Sequence, residues 1–85
     1  MKKPNEKCVV ETINPERSAK LQRHLLKCGY EWPTSGKKVM YTHSDLLFIW
    51  EDDDLFYVIY LRGPSVRLLT QHEVLSIEPE ESQEG

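Results

Sequence analysis

Apolar positions in this chain follow two different rhythms. Between Pro15 and Cys28 the period is three to four residues: Ser18, Leu21, Gln22, Leu25, Leu26 and Cys28 share one helical face, and Arg17, Lys20, Arg23, His24 and Lys27 the opposite one. The helix is marked at both ends. Asn14 can accept a bond from a first-turn N–H, Pro15 suits the first helical position, and Glu16 sits at the positive end of the dipole. Lys27 lies in the last turn and Gly29 supplies a left-handed stop. Elsewhere the period is two. Lys7 to Thr12 is β-branched and predicts a strand. Leu46 to Glu51 and Leu55 to Arg62 predict the arms of a hairpin turned at Asp52-Asp53-Asp54 and broken at Gly63-Pro64. Tyr30 to Gly36 is a loop, Lys37 to Thr42 is expected to be extended, and Val66 to Leu69 predicts a returning strand. Thr70-Gln71-His72-Glu73 matches a capping box and predicts a helical turn through Leu75.

This order predicts an α+β fold: a small antiparallel sheet of three to four strands with one main helix packed on one face. The domain is expected over residues 7–77, with a flexible N-terminus (1–6) and a disordered acidic tail (78–85). In the second hairpin arm Leu55, Tyr57, Ile59 and Leu61 line one face, and Phe56, Val58 and Tyr60 the other. One helix covers one face of a sheet, so the second face calls for a partner protein, a homodimer contact or the chain folding back on itself. A core of this size supplies only ~3–5 kcal/mol, which adds weight to association.

Composition narrows the setting. The two cysteines, Cys8 and Cys28, lack C-x-x-C spacing, and no apolar N-terminal run resembles a signal peptide. No stretch approaches the ~18 apolar residues of a membrane span. The expectation is a cytoplasmic chain with free thiols and no membrane contact. The net charge of −3 is divided: residues 1–45 carry nine basic and five acidic side chains, residues 46–85 two and nine. That predicts a two-signed surface, unless the halves intermix in space.

Candidate chemistry is sparse. His24 and Cys28 are four apart on the helix but straddle its two faces, an edge-of-core position more than a nucleophile–base pair. His24, Cys28, His43 and His72 lack metal-ligand spacing, and Asp52 to Asp54 lack the alternation and glycine of a calcium loop. Glu11, Glu31 and Glu51 sit beside apolar residues with nothing to bring two together for acid–base work. Ser35-Gly36-Lys37-Lys38 lacks phosphate-loop spacing. No catalytic residue, metal or cofactor is therefore assigned. Binding is left in two forms. Lys20, Arg23, Lys27, Lys37 and Lys38, with Tyr30, Trp32 and Tyr41 near in sequence, could hold the phosphates of a nucleic acid or nucleotide; a basic helix face is otherwise ordinary solvated surface. Glu51, Asp52, Asp53 and Asp54, with Glu73, Glu78, Glu80 and Glu81, could imitate phosphate spacing and block a DNA- or RNA-binding protein, or be solubilising charge with a solvated turn. Trp50 alternates with Phe48 and Leu46 as sheet core; Trp32 is either a plug on the helix end or an exposed partner anchor.

The helix ending in Leu25-Leu26-Lys27-Cys28-Gly29-Tyr30-Glu31-Trp32, then Ser35-Gly36-Lys37, the aromatic hairpin around Phe48 and Tyr57, and the Thr70–Glu73 box resemble small accessory proteins of tailed bacteriophages over residues 8–77. The resemblance implies a phage-encoded protein made in the bacterial cytoplasm, of a kind that commonly inhibits a host enzyme or defence system. It assigns no site residue. The expected function is a non-enzymatic binding module that inhibits a host protein through Trp32, Glu51, Asp52, Asp53, Asp54 and Tyr57. The alternative is phosphate binding on the basic helix face.

Overall fold

The computed structural model describes residues 2–56 and 66–79. Six elements follow in order: β1 (Cys8–Glu11), α1 (Pro15–Lys27), β2 (Leu46–Ile49), β3 (Leu55–Phe56), β4 (Arg67–Leu69) and α2 (Gln71–Leu75). They form one four-stranded sheet, ordered β3-β2-β1-β4, with the main helix and the short one. The expected α+β fold is what forms.

The helices begin and end where local chemistry directs. Asn14 Oδ1 accepts the Arg17 N–H at 2.8 Å, and Pro15 opens α1. At the other end Gly29 turns left-handed (φ 100°), Gly29 N–H donates to Leu26 O and Tyr30 N–H to Leu25 O. That is a Schellman stop, closed by packing of Tyr30 and Leu25 in the core. Thr70 and Glu73 exchange both capping-box bonds, at 3.0 and 2.8 Å. Ser18, Leu21, Gln22 and Leu25 form the buried stripe of α1, as the 3.6-residue rhythm requires.

Strand alternation then divides the sheet. Cys8 and Val10 of β1, Leu47 and Ile49 of β2, Leu55 of β3 and Leu69 of β4 point to one face. There they meet Leu21, Leu25 and Cys28 of the α1 end, with Val74 and Ile77 from the α2 region. Fully burying a leucine such as Leu21 or Leu25 contributes about 1.5–3 kcal/mol, so this face carries the fold.

Four expectations change in detail. The sheet is antiparallel at β3-β2-β1, but β4 lies parallel to β1, with Val9 opposite Leu68. Lys37 to Thr42 form no strand, because Gln22 captures both backbone groups of Met40 and Tyr41 then turns left-handed at φ 55°. The hairpin turn closes as a three-residue loop: Trp50 N–H bonds Asp54 O, Asp53 N–H bonds Trp50 O, and Asp53 is left-handed at φ 70°. Trp50 shares a face with Phe48 and Leu46, but it is the face away from α1. It lies half-buried there, 5.9 Å from the Phe48 ring and 5.3 Å from Phe56. The strand expected over Leu55 to Arg62 is described for Leu55 and Phe56; Tyr57 to Arg62, and the tail from Glu80, lie outside the described residues.

Candidate functional site

The face away from α1 carries Val9, Phe48, Phe56 and Leu68 in one row across the four strands. Phe48 is 5% exposed, but Leu68 at the β4 edge is 63% exposed and Leu46 is 39% exposed. The apolar surface therefore opens toward the β1–β4 side of the sheet.

A backbone turn extends that opening. Thr12 is fixed at the end of β1: its N–H donates to Asp45 O and its hydroxyl to Ser44 O, both at 2.8 Å. Asn14 is fixed as the helix cap. One residue remains to redirect the chain, and Ile13 does so with φ 74° while Asn14 N–H closes on Thr12 O at 2.8 Å. This is a γ-turn with a left-handed centre, a strained form, and its centre is a β-branched residue. The Ile13 side chain is 68% exposed. One position thus combines backbone strain with an exposed large apolar side chain.

Between Ile13 and Leu68 lies an open cleft of about 250 Å³, lined also by Glu11, Leu69, Thr70 and Gln71. Gln71 Nε2 donates to the Glu11 carbonyl at 2.9 Å, and Arg17 donates to Gln71 Oε1 at 3.3 Å. This relay satisfies the β1 carbonyl beyond the end of β4 and fixes the cleft wall.

The residues singled out from sequence are placed as follows. Trp32 is 3% exposed, donates Nε1–H to Gln22 Oε1 at 3.1 Å and stands edge-on to Tyr41 at 4.9 Å. It is the plug and not the partner anchor, because Gln22 offers the buried acceptor its indole requires. Glu51 pairs with Lys7 at 3.6 Å and Asp53 with Lys3 at 3.2 Å, so lysines ahead of and within the β1 approach meet half of the acidic tip. Asp52 is exposed; the Asp54 carboxyl is held above the usual range by burial, then by Asp52, Glu31 and Asp53. Tyr57 lies outside the described residues. Lys20, Arg23 and Lys27 are exposed on the outer side of α1, without an ion-pair partner among the described residues. Lys38 is exposed as well. Lys37 is exposed too, but its ammonium is engaged: it donates to the carbonyls of Leu26 and Tyr30 at 3.3 and 3.4 Å, capping the negative end of α1.

His24 and Cys28 do converge, but on a third atom. Both reach the Ile77 carbonyl, at 2.7 Å from His24 Nε2 and 3.5 Å from Cys28 Sγ. Against a carbonyl, Nε2 must donate a proton, so it is not the base for that thiol. Cys8 and Cys28 are buried and not joined in a disulfide, and burial pushes the Cys8 thiol up. No group of three His, Cys, Asp or Glu among the described residues is placed to hold a metal ion. The Ile13–Leu68 cleft is what sequence reasoning missed. Its signals were a single residue between a strand end and a helix cap, and two adjacent leucines on a strand, one of which must face away from the core.

Comparison with protein-family models, with curated proteins and with solved structures returned no match.

Proposed function

We propose that this chain is a non-enzymatic protein-binding module that works through the exposed apolar edge around Ile13 and Leu68. The observation that carries the reading is the cost stored at Ile13. A strained, β-branched, 68%-exposed residue brings no stability to the isolated chain, and it borders a cleft whose other wall is the 63%-exposed Leu68. The resemblance to phage accessory proteins supplies the setting: the partner is a host protein in the bacterial cytoplasm, and the outcome of binding is inhibition. The acidic tip is a weaker contact in this reading, since Lys3 and Lys7 already offset Asp53 and Glu51.

The test is capture from bacterial lysate by the immobilised chain, with Leu68→Asp and Ile13→Asp as controls, followed by assay of the captured protein with and without the chain. A discrete protein retained by the native chain, lost by both variants and inhibited in solution supports the reading. Retention that both folded variants leave unchanged overturns it. Light scattering completes the test: a species of twice 10.0 kDa would assign the surface to a second copy instead.

A second reading, binding of a nucleic acid or nucleotide, is favoured by the exposed Lys20, Arg23 and Lys27 on α1. Three phosphate contacts would give a log–log salt slope of about −2 to −3. Binding to single-stranded RNA or DNA that is salt-insensitive, or absent, removes it.

A further inference from the structure

We propose that β4 is the docking strand itself. It takes one extended segment of a partner protein as a fifth strand, with an apolar side chain set between Ile13 and Leu68 and a basic side chain two residues along set against Glu11. This deepens the binding-module reading and rests on it.

The hydrogen-bond phase of β4 supplies the first argument. Arg67 N–H donates inward to Lys7 O at 3.0 Å. Backbone groups alternate direction along a strand, so the N–H and C=O of Leu68 point away from β1. β4 is the last strand in the sheet order, and the described residues provide no partner for those two groups. A strand edge with unpaired groups is a template for another strand, whose backbone brings an acceptor and a donor at that spacing.

Side-chain chemistry supplies the second. Leu68 stands opposite Val9 on the open face, and Glu11 lies two residues further along that same face of β1. Glu11 is the one charged residue lining the cleft, is exposed, and makes no ion pair among the described residues. Ile13, Leu68 and Leu69 supply the apolar remainder. An incoming strand carries alternate side chains on one face, so an apolar residue over Leu68 places the residue two positions along toward Glu11. Charge complementarity makes that residue lysine or arginine.

The turn at Ile13 fits this use. Redirecting the chain within one residue places the isoleucine on the cleft that Leu68 also lines. The strain is stored in the free state and needs no rearrangement on docking.

The experiment uses the full chain, isotopically labelled, and a blocked peptide of sequence Thr-Val-Thr-Lys-Thr-Val as probe. In the free chain the Leu68 amide should exchange with solvent rapidly; a protected Leu68 amide overturns the proposal, because the edge is then already paired. On titration the Leu68 amide should shift and become protected. Two further peptides carry N-methyl groups at all Thr positions or at all Val and Lys positions. Only one of these sets faces β4, so one peptide should bind about fivefold more weakly, the loss of the one hydrogen bond it donates to the Leu68 carbonyl, and the other should bind nearly as the parent. Equal behaviour of the two, or no response at Leu68 up to the solubility limit, overturns strand addition. Replacing Lys by Glu in the peptide should weaken binding, and Glu11→Lys in the chain should reverse that preference; an unchanged preference overturns the assignment of Glu11. If a captured partner depends on Leu68 and Ile13 while the Leu68 amide stays unprotected in that complex, strand addition fails and the binding-module reading stands.

Discussion

Replacing Ile13 separates what the fold wants from what the surface does. A β-branched residue held in the left-handed region stores on the order of 1–3 kcal/mol. Asparagine tolerates that region far better. Against the gain stands lost burial: with Ile13 68% exposed, only about a third of its ~1.5–3 kcal/mol transfer energy is in use, so under ~1 kcal/mol is forfeited. Ile13→Asn should therefore stabilise the chain by about 1 kcal/mol and raise Tm by roughly 4–8 °C at this size. Ile13→Gly should gain less, because glycine adds ~0.5–1 kcal/mol of entropy to the unfolded chain. Ile13→Val keeps the branch and should gain nothing. Urea and thermal unfolding followed by circular dichroism read all three, and partner capture by the same proteins should fall for Asn and Gly. An Ile13→Asn chain no more stable than the native one would refute the strain argument and, with it, the reason for reading this turn as functional.

Four other substitutions test the frame that holds the site. Gln22→Leu strands the Trp32 indole N–H and both backbone groups of Met40, now bonded at 3.1, 2.8 and 2.7 Å, and should cost ~3–5 kcal/mol, enough to unfold a chain of this size; a loss below ~1 kcal/mol in urea titration would contradict the clamp. Tyr30→Phe removes a fully buried hydroxyl with no hydrogen-bond partner, a group that burial and Asp53 hold strongly neutral, and should stabilise by about 1 kcal/mol in the same titration. Stability should also depend on two carboxyls with opposite signs. Asp54 is raised in the folded state, so its contribution improves as pH falls through that raised value, and Asp54→Asn should be the more stable protein at neutral pH. Glu73 is lowered by its capping bonds to Thr70, so its contribution is present above the ordinary glutamate range and fades as pH drops below it; Glu73→Ala should flatten that acid limb of the stability curve.

Much of this frame is readable from neighbouring residues alone. Asn14-Pro15-Glu16, Gly29 and Thr70 to Glu73 act through bonds three or four residues long, so their chemistry needs no knowledge of the fold. The helix stripe follows the same logic. What depends on distant partners is not readable that way. β4 and β1 pair in parallel across some fifty-nine positions, and nothing local to Val66–Leu69 selects parallel over antiparallel. Lys37 is a surface cation whose part as a cap on the end of α1 shows only in the fold, and Gln22 looks like a polar intruder in the stripe until Trp32 and Met40 arrive to use both ends of its amide. The apolar excess of the hairpin was read from an arm whose Tyr57 to Leu61 lie outside the described residues, and where the sheet opens was not legible: Phe48 is covered while Leu68, on the same row, is not.

The charge split along the sequence has a similar resolution. Nine basic residues in the first half suggest one positive surface, yet Lys3 meets Asp53, Lys7 meets Glu51, and Arg67 meets Glu6 at 3.1 Å. Each of these pairs joins the two halves of the chain, and each is a surface contact of about 0–1 kcal/mol. They add little stability, but they offset Glu51 and Asp53 at the hairpin tip, where Asp52 stays exposed. Among the described residues, the two readings draw on charge in separate places: the outer side of α1, which is positive, and Glu11 at the cleft, which is negative. A polyanion would use the first, and the proposed strand with one basic residue the second. The two readings therefore make no shared contact, and a substitution that disables one leaves the other intact.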